Sequence, residues 1–96
     1  MELLVTYDVN TEVAAGRRRL RRVAKVCEAY GQRVQKSVFE CILNPGQLEE
    51  LRHKLVEAID QSQDNLRIYR LREPRSRFLE VYGMPPEFDL REPLVV

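Results

Sequence analysis

Long apolar runs are missing from this sequence: none approaches the roughly 20 residues that carry a helix across a bilayer. The opening residues, Met1-Glu2-Leu3-Leu4-Val5-Thr6-Tyr7-Asp8, also lack the basic start and apolar core of a secretory signal. Together these absences set the cytoplasm as the expected location, with no membrane partner. Cysteine is scarce as well. Cys27 and Cys41 form no CxxC pair and fall on separate apolar faces, so buried reduced thiols are expected rather than a disulfide framework or a zinc site. The single histidine, His53, lies among charged residues of a predicted helix and reads as a solvated surface group. With four glycines in the chain there is no Gly-rich ligand loop, which counts against a small-ligand regulatory module. Tryptophan is absent and only seven residues are aromatic, so one modest core is expected.

What is present describes a globular chain. Hydrophobic residues make up 44% and charged residues 32%, too apolar a mixture for disorder. At 96 residues the chain is a single domain, 1–96, and at that size folding buries only about two-thirds of the unfolded surface. A second copy would add the burial a lone subunit lacks. The net charge of +1 conceals an asymmetry: residues 10–36 carry eight Lys or Arg against only Glu12 and Glu28, and thirteen of the sixteen cations are Arg. Planar guanidinium groups suit phosphate contacts, which points toward nucleic acid; the plain alternative is a solvated helix face.

Along the chain, residues 3–9 read as a strand, with Leu3, Val5, Tyr7 and Val9 on one face and Leu4, Thr6 and Asp8 on the other. Asn10 or Thr11 can cap a helix over residues 12–30, and Gly31 can end it in the left-handed conformation. At 100° per residue Val13, Gly16, Leu20, Val23, Ala24, Cys27 and Tyr30 form its apolar stripe. Arg18, Arg21, Arg22 and Lys25 fall opposite, while Arg17 and Arg19 flank the stripe. Residues 34–43 are extended and β-branched, with Val34, Val38 and Ile42 against Ser37, Phe39, Cys41 and Leu43. Asn44-Pro45-Gly46-Gln47 starts a second helix, running to about residue 61, with Asn44 as cap, Pro45 at the first helical position and Gln47 three residues after the cap. Residues 66–72 form another strand, and a short final strand is expected near Leu94-Val95-Val96.

The order β, α, extended, α, β describes one α+β domain, and a ferredoxin-like βαββαβ sheet fits it best. That fold requires residues 33–43 to supply two strands, although they contain no Gly, Pro, Asn or Asp to mark the turn. Two helices cover one sheet face, yet the strands are apolar on both, so the second face is expected to meet another subunit in a symmetric homodimer.

Three segments carry a resemblance that spans nearly the whole chain: Val5-Thr6-Tyr7-Asp8-Val9, the arginine-rich Arg17-Arg18-Arg19-Leu20-Arg21-Arg22-Val23, and Gly31-Gln32-Arg33-Val34-Gln35-Lys36-Ser37-Val38-Phe39-Glu40. With Leu66-Arg67-Ile68-Tyr69 they resemble the CRISPR-associated endoribonuclease family, the small second protein of the spacer-acquisition complex that accompanies the CRISPR integrase. The resemblance implies a ferredoxin-like homodimer with an extra C-terminal strand, the tail at 78–96 crossing to the partner's sheet. It also implies that Asp8 of both subunits face each other across the dimer axis, where they would share one Mg²⁺ for phosphodiester hydrolysis of RNA or DNA.

By the same resemblance Arg19, Arg33 and either Arg17 or Arg18 match basic positions beside the metal, while Tyr7, Ser37 and Phe39 are supporting residues. The outward Arg18, Arg21, Arg22 and Lys25 would give a cationic surface for duplex DNA. Read from position alone, Asp8 is a turn or helix cap and Tyr7 a packing residue, while Phe39 either packs in the core or dimer or touches substrate. Three functions follow: a metal-dependent endonuclease, a non-catalytic scaffold that binds DNA and bridges integrase subunits, and a toxin-like ribonuclease of the same fold.

Overall fold

The computed structural model describes residues 1–84. The elements run β1 (Glu2–Asp8), α1 (Ala14–Tyr30), β2 (Gly31–Gln35), β3 (Val38–Ile42), α2 (Pro45–Ala58) and β4 (Asn65–Arg70), followed by a short 3-10 turn at Arg75–Arg77. Strand order across the sheet is β2-β3-β1-β4, and every neighbouring pair is antiparallel. This is the expected ferredoxin-like arrangement, with β1 central between β3 and β4. No helix among the described residues is long and apolar enough to cross a membrane.

The core follows from period-2 alternation in the strands meeting period-3.6 stripes in the helices. Leu3, Val5, Tyr7 and Val9 from β1 and its exit join Phe39, Cys41 and Leu43 beneath Val23 and Cys27 of α1 and Leu51, Leu55 and Ala58 of α2. Both thiols are buried and free. His53 is exposed and paired with Glu57 at 3.4 Å, one helical turn on.

Helix α2 begins as its sequence dictates. The Asn44 side chain accepts from the Gln47 amide at 2.8 Å, and the Gln47 side chain accepts from the Asn44 amide at 2.9 Å, so two orphan donors are satisfied reciprocally with Pro45 just inside. The helix stops at Ala58, short of residue 61.

Helix α1 departs from expectation at both ends. The Asn10 side chain accepts the Glu12 amide, closing a tight turn before the helix, so Val13 occupies the cap position without a side-chain bond. Val13 is 55% exposed and therefore off the apolar stripe. Gly16 is buried because the helix start presses on the Asn10 carbonyl; a Cβ there would lie 1.8 Å from that oxygen. At the other end Gly31 is extended (φ −157°, ψ −172°) rather than left-handed, and the chain enters β2 at once. Close approach explains the glycine: a Cβ would stand 2.4 Å from Cys41 Sγ and 2.5 Å from the Glu40 carbonyl oxygen.

The unmarked turn between β2 and β3 is Lys36-Ser37. No non-glycine residue among those described has positive φ, so the hairpin does not use the primed turn that asks for Asn-Gly. A bulge between Arg33 and Gln35 shifts the register instead, and β1 takes up the carbonyls of the turn: the Tyr7 amide donates to Ser37 at 3.2 Å and its hydroxyl to Lys36 at 3.4 Å.

The sheet's second face is uncovered by helix. Leu4, Thr6 and Val38 lie on it half-buried, with Ile42 at 66% and Tyr69 at 44% exposure. The chain after β4 turns back over part of this face: the Arg75 amide donates to a Glu2 carboxylate oxygen, and Arg75 Nε lies 3.3 Å from Glu40. There Leu4, Glu40, Leu71, Arg75, Phe78 and Leu79 line a shallow open cavity. Val81, Tyr82 and Met84 are almost fully exposed. The expected final strand near 94–96, and with it most of the tail at 78–96, lies outside the described residues.

Candidate metal position and nucleic-acid interface

Asp8 is the last residue of β1, and alternation sets its side chain on the uncovered face, opposite Tyr7. It is exposed, and among the described residues its carboxylate has no hydrogen-bond or ion-pair partner. The turn-closing role that position alone allowed is taken by Asn10 two residues later, and the helix itself has no side-chain cap. Across the ladder Asp8 registers with Asn65 of β4, and two pairs along, Thr6 registers with Arg67 on β4 and with Val38 on β3. A single exposed carboxylate is a hard oxygen ligand of the kind Mg²⁺ takes, usually one or two per ion with water completing the shell. No group of three or more His, Cys, Asp or Glu converges among the described residues. Among the described residues Asp8 is thus a lone carboxylate, able to supply one oxygen ligand to an ion of that kind.

Behind Asp8, on the helix side, Tyr7 and Phe39 pack with ring centroids 6.2 Å apart and nearly parallel planes. Phe39 is fully buried, so in this subunit it touches no substrate and acts as core. Burial is also the main reason the Tyr7 hydroxyl is pushed above its ordinary pKa, and burial lifts the Cys27 thiol to about 12. Arg33 lies over the Phe39 ring at 5.0 Å and pairs with Glu28 at 3.4 Å. Ser37 is half-buried in the hairpin turn beside the end of β1.

Arg19 is also engaged. Its guanidinium straddles Asp64, with Nε at 2.8 Å from one oxygen and Nη2 at 3.2 Å from the other. That contact is the leading cause holding the Asp64 carboxyl at about 2, well below the carboxylate range. Arg17 is exposed and donates to the Thr11 carbonyl at 3.1 Å, whereas Arg18, Arg21, Arg22 and Lys25 project from the outer side of α1 into solvent. The seven basic residues singled out thus divide: four form an open cationic face on the helix side, one borders it, and Arg19 and Arg33 hold intramolecular acids.

Two β4 residues on the same sheet face as Asp8 were not singled out from the sequence. Arg67 and Tyr69 share its face, with Arg67 donating to the Tyr69 hydroxyl at 3.1 Å. Their signal was the alternation Arg67-Ile68-Tyr69, which places both opposite the core residue Ile68. Nothing short of the β1–β4 register tells that this face is also Asp8's.

Comparison with known proteins bears on the chain as a whole. The family described as "CRISPR associated protein Cas2" matches residues 1–77. The chain is 54% identical over 96 residues to "CRISPR-associated endoribonuclease Cas2 1" of Moorella thermoacetica, covering 100% of both chains. It is 50% identical to "CRISPR-associated endonuclease Cas2" of Halalkalibacterium halodurans, covering 99% of each. A crystal structure of Streptococcus pyogenes Cas2 at pH 6.5 superposes with a TM-score of 0.77 and 52% identity, over 86% of this chain and 100% of that one.

Proposed function

The chain belongs to the CRISPR-associated Cas2 family, and from that premise we propose that it is a metal-dependent endonuclease of CRISPR adaptation, working as a homodimer with Asp8 of each subunit as the metal ligand. The observation that carries this reading is the placement of Asp8: an exposed carboxylate, unpartnered among the described residues, on a sheet face that no helix covers. Leu4, Val38, Ile42 and Tyr69 on the same face supply apolar area for a second copy. Two-fold pairing of such faces would bring together the two halves of the Mg²⁺ site. When bound, Mg²⁺ supplies charge neutralisation at phosphorus and activation of the attacking water.

The chain's own residues do the rest. Asp8 fixes where the ion, and hence the scissile phosphate, would sit. Arg67, two register pairs from it on the same face, would hold a phosphate oxygen once released from Tyr69. Arg18, Arg21, Arg22 and Lys25 would grip a nucleic-acid backbone without reading sequence, with Arg17 at the edge of that surface. Arg19 and Arg33 serve from within, through Asp64 and Phe39.

A non-catalytic scaffold that holds DNA and bridges integrase subunits is favoured by one specific observation: the basic face of α1 and Asp8 lie on opposite sides of the sheet. DNA held on the helices need not approach Asp8. The deciding experiment is cleavage of RNA and of duplex DNA by wild type and Asp8→Ala, with and without Mg²⁺. Cleavage should require Mg²⁺ and disappear in Asp8→Ala, while co-purification with the integrase persists. Equal cleavage by the two proteins would remove Asp8 from the chemistry.

A further inference from the structure

The Asp8 end of β1 is tied down by one side chain. Asp64, in the loop between α2 and β4, has a carboxylate with 0% exposure that accepts four hydrogen bonds. They come from the Asn10 amide at 3.0 Å, the Asp60 amide at 2.8 Å, Arg19 Nε at 2.8 Å and Arg19 Nη2 at 3.2 Å. The loop is set in advance: the Asp60 side chain accepts from the Ser62 amide at 3.0 Å, the Ser62 hydroxyl at 2.6 Å and the Gln63 amide group at 2.8 Å. Asp64 is therefore presented rather than left to find its partners.

A buried ion pair is a poor device for stability alone, because desolvation offsets most of the attraction. What four directed bonds do accomplish is to fix geometry, and the geometry they fix surrounds Asp8. Asn10 lies two residues beyond Asp8 on the chain leaving β1. Asn65, the next residue after Asp64, is Asp8's register partner on β4. Arg19 adds α1, and Asp60 adds the end of α2. A ligand at the last position of a strand is free to swing unless the chain on both sides is held, and metal sites need ligands placed to within about half an ångström.

We propose that Asp64 is a positioning residue for Asp8, holding the turn after β1 and the start of β4 in place through Asn10, Asp60 and Arg19. The proposal rests on Asp8 as metal ligand and adds that Arg19 serves the site by this clasp, without touching nucleic acid.

The test uses the full chain, wild type against Asp64→Asn and Arg19→Lys, well below the melting temperature of each. Three readouts are taken without substrate: exchange of the Asn10 amide relative to amides in the middle of β1, the Asp8 side-chain carboxyl resonance, and the Mg²⁺ concentration that half-saturates its shift. In Asp64→Asn the Asn10 amide should exchange at least about tenfold faster, the Asp8 resonance should shift or broaden, and half-saturation should rise about tenfold. Arg19→Lys keeps the charge but loses the two-pronged grip, and gives the same readouts should Asp64→Asn fail to fold. Nucleic-acid affinity should stay unchanged in Arg19→Lys. A folded Asp64→Asn with wild-type exchange and a wild-type Asp8 resonance would overturn the proposal. So would Arg19→Lys that loses nucleic-acid affinity while Asn10 stays protected. If wild type shows no Mg²⁺-induced change at Asp8, the metal reading fails on its own, and exchange and resonance still decide the clasp.

Discussion

Replacing Gly16 by Ala tests how tightly α1 is seated against the turn that follows Asp8. A Cβ built at Gly16 stands 1.8 Å from the Asn10 carbonyl oxygen, 2.9 Å from its carbon and 3.3 Å from Thr11 Cα. Carbon and oxygen tolerate no closer approach than roughly 3.3 Å, so the Asn10 peptide would have to withdraw by roughly 1.5 Å. Its amide donates to Asp64 at 3.0 Å, and a shift of that size breaks the bond. A hydrogen bond to a buried charge is worth about 1.5–3 kcal/mol. Against it, Ala improves on Gly in a helix by about 0.5–1 kcal/mol. The loss wins, by about 1–2 kcal/mol, which in a domain of this size lowers the melting temperature by roughly 10 °C. Thermal and urea unfolding followed by circular dichroism would measure it, at one protein concentration because dimerisation shifts the midpoint by mass action. A Gly16→Ala protein that melts with wild type or above it would refute the reasoning: it would mean that the 10–13 turn gives way freely and that helix propensity decides.

Three further outcomes follow from the same structure. The Asp64 carboxyl sits at about 2 against an ordinary 3.8, so its stabilisation is fully present above about pH 5 and is lost as pH falls through 2; it amounts to roughly 2 kcal/mol. Acid titration of stability should therefore be shallower in Asp64→Asn than in wild type, and parallel curves would contradict the assignment. The Cys27 thiol, pushed by burial to about 12, should resist aromatic disulfides at pH 8 in the native protein and react at once in urea; rapid native labelling would show that α1 opens. Changing Arg18, Arg21 and Arg22 together to Gln should flatten the salt dependence of duplex DNA binding by about one unit of slope for each arginine that had neutralised a phosphate, whereas an unchanged slope would exclude this face as the interface.

Much of this was legible in the residues. Strand alternation placed Leu3, Val5 and Tyr7 inside and Asp8 outside, because side chains in a strand point alternately to its two faces whatever the tertiary context. The capping box of α2 was equally plain, since Asn44, Pro45 and Gln47 satisfy local donors with local acceptors. The outward Arg18, Arg21, Arg22 and Lys25 follow from helical periodicity alone.

The remainder depended on contacts distant in sequence. Gly31 looks like a helix stop, but its reason for being glycine is Cys41 on the neighbouring strand. The Lys36-Ser37 turn carries no turn residue because β1 binds its carbonyls and a bulge absorbs the register. Arg19 and Arg33 belong to the same basic segment as Arg18 and Arg21, yet Asp64 lies 45 residues from Arg19 and only folding brings the two together. The sequence by itself determined β1, the start of α2, the cationic face and the position of Asp8 at the end of its strand, since each rests on local geometry and short-range periodicity. Only the tertiary structure decided which arginines stay open to a nucleic acid and which are bound inside, because a charge's role is set by whichever opposite charge folding places beside it.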